Sequence, residues 1–150
     1  MTDVLTPKQR HFNMSRIRAK NTKPEMTIRK ALFNRGLRYK LHDQKLPGKP
    51  DLVFPKYGAV ILINGCFWHG HNCHLFKWPS TRQEFWRTKI NRTKYIDVRN
   101  HKKLNESGWR VLIIWECAMR GRKKIEFECL INDIVHWLQH EHENRSIEGI

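Results

Sequence analysis

Nine consecutive residues, Cys66 to His74, constrain this chain most, because they combine two thiols, three imidazoles and two large aromatic rings. Thiolate and imidazole groups at this density are typical of a closed zinc site. Phe67 and Trp68 lie between the candidate ligands, where a surface loop would ordinarily carry polar side chains. The apolar run 59–63 comes directly before the loop and predicts a buried strand. We therefore expect a metal-braced loop that carries aromatic rings at the end of a strand.

A closed zinc site needs four ligands. The loop offers two thiols and a choice of imidazoles, which are Cys66, Cys73, His69, His71 and His74. Cys117 lies at the end of the predicted strand 109–115, and it is the expected fourth ligand because the ends of adjacent parallel strands lie close together. A site filled by four protein ligands has no open position for water, so this zinc would be structural. Cys129 falls within a predicted helix and is expected to be a small buried hydrophobe.

The charge of the chain favours a polyanionic partner. Lys and Arg number 29 against 14 Asp and Glu, which gives a formal net charge of +15. Six Trp, seven Phe and three Tyr can stack on bases or wedge between them, so nucleic acid is the favoured partner over a basic protein with no special ligand. The longest apolar runs are too short to span a bilayer, and the N-terminus does not resemble a signal peptide. We expect no membrane association, reduced cysteines and a cytoplasmic, nucleoid-associated protein.

The length of 150 residues suits one domain with a single core. Residues 1–21 are basic and poor in apolar side chains, and we expect them to form an arm that binds phosphates, although a terminus without a role is equally compatible with the composition. The domain itself would span residues 22–140. Residues 141–150 are polar, and we expect a frayed tail.

Hydrophobic periodicity within the domain predicts the order αβββαβα, which implies an α/β fold with a mixed sheet flanked by helices. Thr22 with Glu25, and Thr81 with Glu84, are spaced as capping boxes at the starts of two helices. The predicted elements are a helix from 22 to 36, strands at 37–41, 51–54 and 59–63, a helix from 81 to 106, a strand at 109–115 and a helix from 125 to 139. The strand at 59–63 is apolar on both faces and should be central, parallel to 109–115.

Asp51 is the first residue of an otherwise apolar predicted strand. A carboxylate in such a place is costly to desolvate unless it binds a cation or a hydrogen-bond donor. Hydrolysis of a phosphodiester uses a divalent ion, and magnesium needs few direct carboxylates because it keeps several waters. An acid at the start of a strand is typical of the PD-(D/E)xK nuclease core, although the second half of that motif is missing here. A turn or capping aspartate is the alternative interpretation.

Several longer segments closely resemble the very-short-patch mismatch repair (Vsr) endonucleases, in register from about Asn13 to Arg122. The matching segments are Leu46-Pro-Gly-Lys-Pro-Asp51, Gly65-Cys-Phe-Trp-His69, Thr81-Arg-Gln-Glu-Phe-Trp86, Gly108-Trp-Arg-Val-Leu-Ile-Ile-Trp-Glu-Cys117 and Arg120-Gly-Arg122. The resemblance implies a PD-(D/E)xK nuclease-like core with structural zinc (Zn2+) and catalytic magnesium (Mg2+). It implies an endonuclease, acting as a monomer, that nicks one strand of duplex DNA beside a T·G mismatch left by deamination of 5-methylcytosine. Downstream repair proteins are possible partners.

The resemblance also implies roles for single residues. Asp51 matches the direct magnesium ligand, which the backbone carbonyl of Ile63 assists, and His69 matches the imidazole that activates the attacking water or serves the leaving group. Glu25 and Asp97 match acids that hold waters of the metal. The implied zinc ligands are Cys66, His71, Cys73 and Cys117, and the implied intercalating rings are Phe67, Trp68 and Trp86.

Each of these residues also has a simpler interpretation. Glu25 can close its capping box, and Asp97 can be a solvated helix acid beside basic neighbours. His69 can replace His71 as a zinc ligand, and Trp86 can belong to the core. The chain departs from the family pattern at Asn64, where the family has a histidine. Because an asparagine does not accept a proton at neutral pH, a general base is excluded at this position and its role is left open.

Two other functions compete with mismatch repair. A restriction-type endonuclease on the same core would cut both strands of a perfect duplex and would need a dimer. A zinc-stabilised module that binds DNA without cleaving it would need no magnesium.

Overall fold

The computed structural model describes residues 22–150, so the predicted basic arm 1–21 lies outside the described part of the chain. Its strands are β1 Lys40–Leu41, β2 Leu52–Phe54, β3 Ala59–Asn64, β4 Arg110–Trp115 and β5 Arg145–Ile147, and its α-helices are α1 Lys23–Asn34, α2 Gln83–Glu106 and α3 Phe127–His140. Within these described residues no helix is both long and apolar enough to cross a membrane. The mixed sheet with flanking helices agrees with the predicted fold class.

The five strands form one sheet in chain order, with β3 at its centre. The first three strands pair antiparallel, whereas β4 is parallel to both β3 and β5. Helix α2 connects β3 to β4, as a parallel pair requires. The predicted central position of β3 and its parallel pairing with β4 are confirmed.

Apolar clusters cover both faces of the sheet, which explains why β3 is apolar throughout. One cluster joins α1 and α3 to the sheet, with Ile28, Leu32 and Ile134 packed against Ile61 and Leu112. The other cluster lies under α2, where Leu104 packs with strand residues such as Val60 and Val111. The sheet is thereby sandwiched between two layers of helix, and the ends of β3 and β4 emerge between the layers.

Helix α1 begins after the predicted Thr22 cap. The hydroxyl of Thr22 accepts a hydrogen bond from the Glu25 N–H at 3.4 Å, and Gly36 follows the helix with a φ of +86°. The second predicted capping box is wrong. Helix α2 begins at Gln83, and the residue before it is Arg82, which has a left-handed φ of +51° and makes no side-chain cap. The Arg82 guanidinium lies over the ring of Phe85.

Two further expectations about these elements need correction. The strand predicted at 37–41 is reduced to Lys40–Leu41, because only these residues pair with β2. Cys129 is exposed rather than buried, since the buried stripe of α3 runs through Leu130, Ile131 and Ile134 on another face of the helix.

The C-terminal tail is not frayed. Residues 145–147 form β5 at the edge of the sheet, and Ile147 is buried against the core. Arg145 donates to both carboxylate oxygens of Asp133 at 2.6 and 2.8 Å, a bidentate pair that fixes the start of the strand. A polar segment can form an edge strand because its backbone supplies the pairing groups.

Candidate active site and metal centre

Three side chains converge beside the start of β2. Asp51 directly precedes this strand, and its Oδ2 accepts the N–H of Ile63 at 2.7 Å. The buried carboxylate of Glu25 on α1 lies 2.7 Å from His42 Nε2 and accepts from Arg29 at 2.9 Å. The ligand atoms of Glu25, His42 and Asp51 all lie within 4.8 Å of one another. This cluster can hold a cation.

The electrostatics of Asp51 favour the same interpretation. Burial, together with the neighbouring Glu25 carboxylate, raises the pKa of its carboxyl group to about 6 against the opposing hydrogen bond from Ile63. A divalent cation would compensate two carboxylates held this close together, and oxygen ligands of this kind suit magnesium.

Sequence reasoning missed His42. The residue directly follows β1, and its N–H donates to the Asp51 carbonyl at 3.1 Å, which places the two residues opposite each other across the β1–β2 pair. Only the strand register brings the imidazole to the acids, and the sequence carries no separate signal of that register.

A second cluster lies where β3 and β4 end. Cys66 follows β3, Cys117 lies in the turn after β4, and their ligand atoms lie within 4.8 Å of those of His71 and Cys73. His71 Nδ1 is 3.5 Å from the sulfur of Cys66 and 3.7 Å from that of Cys117. Among the three histidines of the loop, His71 is therefore the one that joins the thiols.

The donor set of this second cluster fits zinc. Burial raises the pKa of the Cys66 and Cys117 thiols, so ionised thiolates are unfavourable here without a cation. A bound dication reverses that preference because a coordinating thiol loses its proton. Three thiolates and one imidazole are a common tetrahedral set for structural zinc.

His69 and Asp97 form a third polar contact. His69 Nδ1 lies 2.6 Å from Asp97 Oδ2, which reaches it from the middle of α2. Asp97 is thus partnered by His69 rather than being a solvated helix acid. The remaining candidate, Asn64, is buried at the end of β3, opposite Trp115 in the register with β4.

The aromatic side chains form one contiguous, half-buried group. The ring centroids of Phe67 and Trp68 are 5.2 Å apart, and Trp86 lies 5.3 Å from Phe67 and 5.9 Å from Trp68. The Lys89 ammonium stands 5.7 Å from the Trp68 ring. Helix α2 carries this lysine and further exposed basic side chains, which are Arg87, Arg92, Lys94, Arg99, Lys102 and Lys103.

Comparisons with known proteins agree with this geometry. The sequence model of the family described as DNA mismatch endonuclease Vsr matches residues 2–75. The DNA mismatch endonuclease Vsr of Escherichia coli K12 is 44% identical over 92% of this chain and 88% of its own length. The type II nicking enzyme V.XorIIP of Xanthomonas oryzae is 42% identical over 84% of this chain and 93% of its own length, and V.NmeAIP of Neisseria meningitidis is 41% identical over 81% and 87%. The chain belongs to the Vsr family of DNA mismatch endonucleases.

Proposed function

We propose that this protein is a magnesium-dependent endonuclease that nicks one strand of duplex DNA beside a T·G mismatch and so initiates very short patch repair. One observation carries the proposal. Asp51 binds the backbone of Ile63, and the rings begin only four residues later at Phe67, so a cation-binding cluster and a wedge of rings share the end of β3. The proposed enzyme has a nuclease core of the PD-(D/E)xK kind and acts as a monomer on cytoplasmic, nucleoid DNA.

Asp51 would be the direct magnesium ligand. The N–H and C=O groups of a strand residue point to the same side, so the carbonyl of Ile63 faces Asp51 together with the N–H that binds it. Glu25 would hold waters of the ion, and His42 would orient Glu25. Bound magnesium supplies charge neutralisation at the phosphate and acidifies water. The residues of the cluster would position the ion.

His69 would move the proton. The short contact of Nδ1 with Asp97 keeps the hydrogen on that nitrogen, which leaves Nε2 to accept a proton from water or to serve the leaving oxygen. Asp97 is therefore a positioning residue for His69 in this scheme. Asn64 lies beside the cluster, but it does not act as a base because its amide has no basic lone pair at neutral pH.

Recognition of the mismatch would rest on the rings. Insertion of Phe67, Trp68 and Trp86 costs about a few kcal/mol for each unstacked base step. The cost is lower at a weakly stacked wobble pair, which couples mispairing to cleavage. Zinc bound by the four candidate ligands would stiffen the loop that carries the first two rings, while the exposed cations of α2 and the arm 1–21 would bind phosphates.

The experiment that tests the proposal uses end-labelled duplexes that differ at one pair, T·G, T·A or C·G, with the purified protein and magnesium. We expect a single nick in the T strand of the mismatched duplex and intact perfect duplexes. Cleavage of both strands in all three duplexes would favour a restriction-type enzyme instead. Magnesium-independent binding without any cleavage would favour a DNA-binding module.

The proposed insertion of the rings of Phe67, Trp68 and Trp86 leads to a separate prediction. Trp68→Ala should lower the rate on the T·G duplex by roughly 10- to 100-fold, because a lost ring contact is worth about 1–3 kcal/mol. Its binding to perfect duplex should change little, since phosphate contacts supply that affinity. Trp78→Ala is the matched control, because Trp78 is an exposed ring outside the trio of Phe67, Trp68 and Trp86. Equal losses in both variants would contradict a specific wedge.

A further inference from the structure

We propose that the C-terminal residues 145–150 act as a clasp for the zinc site, in which Glu148 positions the ligand His71 and the Gly149 N–H binds the sulfur of Cys117. The inference rests on the proposed structural zinc and goes beyond it. It assigns a role in metal retention to a segment that contains none of the four ligands.

The two nitrogens of His71 face different partners. Nδ1 points to the sulfurs of Cys66 and Cys117, whereas Nε2 lies 2.7 Å from Glu148 Oε2. The ring of Trp115 is stacked on the imidazole at 4.0 Å with an interplanar angle of 8°. Nδ1 is therefore the nitrogen that would bind a metal, and Nε2–H would donate to the carboxylate. A ligand histidine held through its other nitrogen by a carboxylate keeps its tautomer and orientation, and it becomes a better donor.

Gly149 reaches the same site through its backbone. Its N–H donates to the sulfur of Cys117 at 3.2 Å. A Cβ at this position would lie 2.7 Å from the Cys117 carbonyl oxygen and 2.9 Å from that of Lys123, so the approach tolerates only glycine. The Ile150 N–H then donates to the Lys123 carbonyl at 2.8 Å. An N–H directed at a candidate ligand sulfur holds that sulfur in position.

The fold anchors the segment firmly enough to hold these contacts. Strand β5 pairs with β4, and the Arg145–Asp133 bidentate pair fixes its start. Trp115 Nε1 donates to Ser146 Oγ at 2.8 Å, so β5 also holds the indole that stacks on His71. Strand β5 therefore holds in place the Glu148 carboxylate, the Gly149 N–H and the stacked ring of Trp115.

An ordinary surface ion pair is the alternative explanation of the Glu148 contact. The Glu148 side chain is 61% exposed, and an exposed pair by itself contributes little to stability. The two explanations differ in where the effect appears. A surface pair would change the zinc-loaded and metal-free proteins alike, whereas a positioning residue changes chiefly the retention of the metal.

The test measures zinc release from the full-length protein. Zinc-loaded wild type, Glu148→Ala, Glu148→Gln and Gly149→Ala are mixed with excess chromogenic chelator, and thermal unfolding of the metal-free forms is recorded in parallel. Glu143→Gln is the matched control, because it removes the same charge from an exposed position in the preceding turn.

We expect Glu148→Ala to release zinc roughly 10-fold faster or more, which is the lower end of the effect of losing such a partner. Glu148→Gln should restore most of the retention because its amide oxygen still accepts the Nε2–H. Gly149→Ala should also release zinc faster, and Glu143→Gln should match wild type. The metal-free Glu148 variants should unfold with wild-type midpoints.

Wild-type release rates in both Glu148→Ala and Gly149→Ala would overturn the clasp while leaving the zinc site and the nuclease intact. A wild-type protein that binds no zinc would overturn the clasp together with the proposed structural metal. Nicking of the T·G duplex is measured separately, so neither result is confused with a failure of the proposed endonuclease.

Discussion

Replacing Asp51 by Asn should abolish nicking of the T·G duplex, with a rate loss on the order of 1,000-fold or more, while DNA binding persists. The variant retains an oxygen that can accept the Ile63 N–H, so the local structure should survive. It loses the negative charge that would hold magnesium, and the charge stabilisation that the metal supplies is worth several kcal/mol. The measurement is single-turnover nicking beside a binding titration at equal salt.

The same substitution should stabilise the magnesium-free, zinc-loaded protein at pH 7.5, by about 1–3 kcal/mol. Because the pKa of Asp51 is raised to about 6 in the folded state, the folded protein binds its proton more tightly than the unfolded chain does. In wild type the proton bound to Asp51 stabilises the fold fully below about pH 4, and this stabilisation is lost as the pH rises through about 6. The variant has no ionisable group at this position and loses nothing over the same range. Unfolding midpoints of wild type and variant should therefore approach each other as the pH falls to 5.

Asp43→Asn is the control for both measurements, since Asp43 caps an exposed turn and lies outside the acidic cluster. It should nick at the wild-type rate and show no gain in stability. A nicking rate in Asp51→Asn within a few-fold of wild type would remove Asp51 from the catalytic centre. A loss of DNA binding in parallel with nicking would point to misfolding instead.

Loss of the Cys117 thiol should have the largest effect on stability. Cys117→Ala removes one of four candidate zinc ligands and the sulfur that accepts the N–H of Gly149. Structural zinc contributes its binding free energy to folding, so the loss should reach about 4 kcal/mol or more. For a domain of this size the unfolding midpoint would fall by roughly 8–16 °C.

Zinc content and thermal unfolding check this prediction, with and without a strong chelator. The chelator should lower the midpoint of wild type towards that of Cys117→Ala and should change the variant little. Cys129→Ala is the control, because Cys129 is an exposed thiol on α3 and should stay within about 0.5 kcal/mol of wild type. A Cys117→Ala protein that retains one equivalent of zinc would contradict the ligand assignment.

Patterns that act within a few residues were sufficient to predict much of the fold. The Thr22 cap, the apolar stripe of α1 and the parallel pairing of β3 with β4 follow from local hydrogen bonding, from periodicity and from the intervening helix. The predicted capping box at Thr81 failed because Arg82 adopts a left-handed conformation against Phe85. A local backbone conformation, which the spacing of Thr81 and Glu84 does not reveal, decided that helix start.

The candidate zinc site was likewise predictable from the sequence only in part. The density of Cys and His in the loop and the position of Cys117 at a strand end were sufficient to predict which thiols meet. Composition and spacing alone did not decide among His69, His71 and His74, because the three imidazoles have the same chemistry; only the family resemblance implied His71. His42 and Glu148 were missed altogether, since one depends on the register of β1 and the other on an edge strand formed by a polar tail.

The sequence by itself determined the chemical inventory: a basic chain, a thiol-rich loop with two rings, and an acid ahead of an apolar strand. The tertiary structure alone decided which groups become partners, such as Asp97 with His69 and Glu148 with His71. The physical reason is the range of the interactions. Propensity and periodicity act over a few residues of chain, whereas a hydrogen bond of 2.6 or 2.7 Å between residues 28 or 77 positions apart exists only after the strands have been aligned.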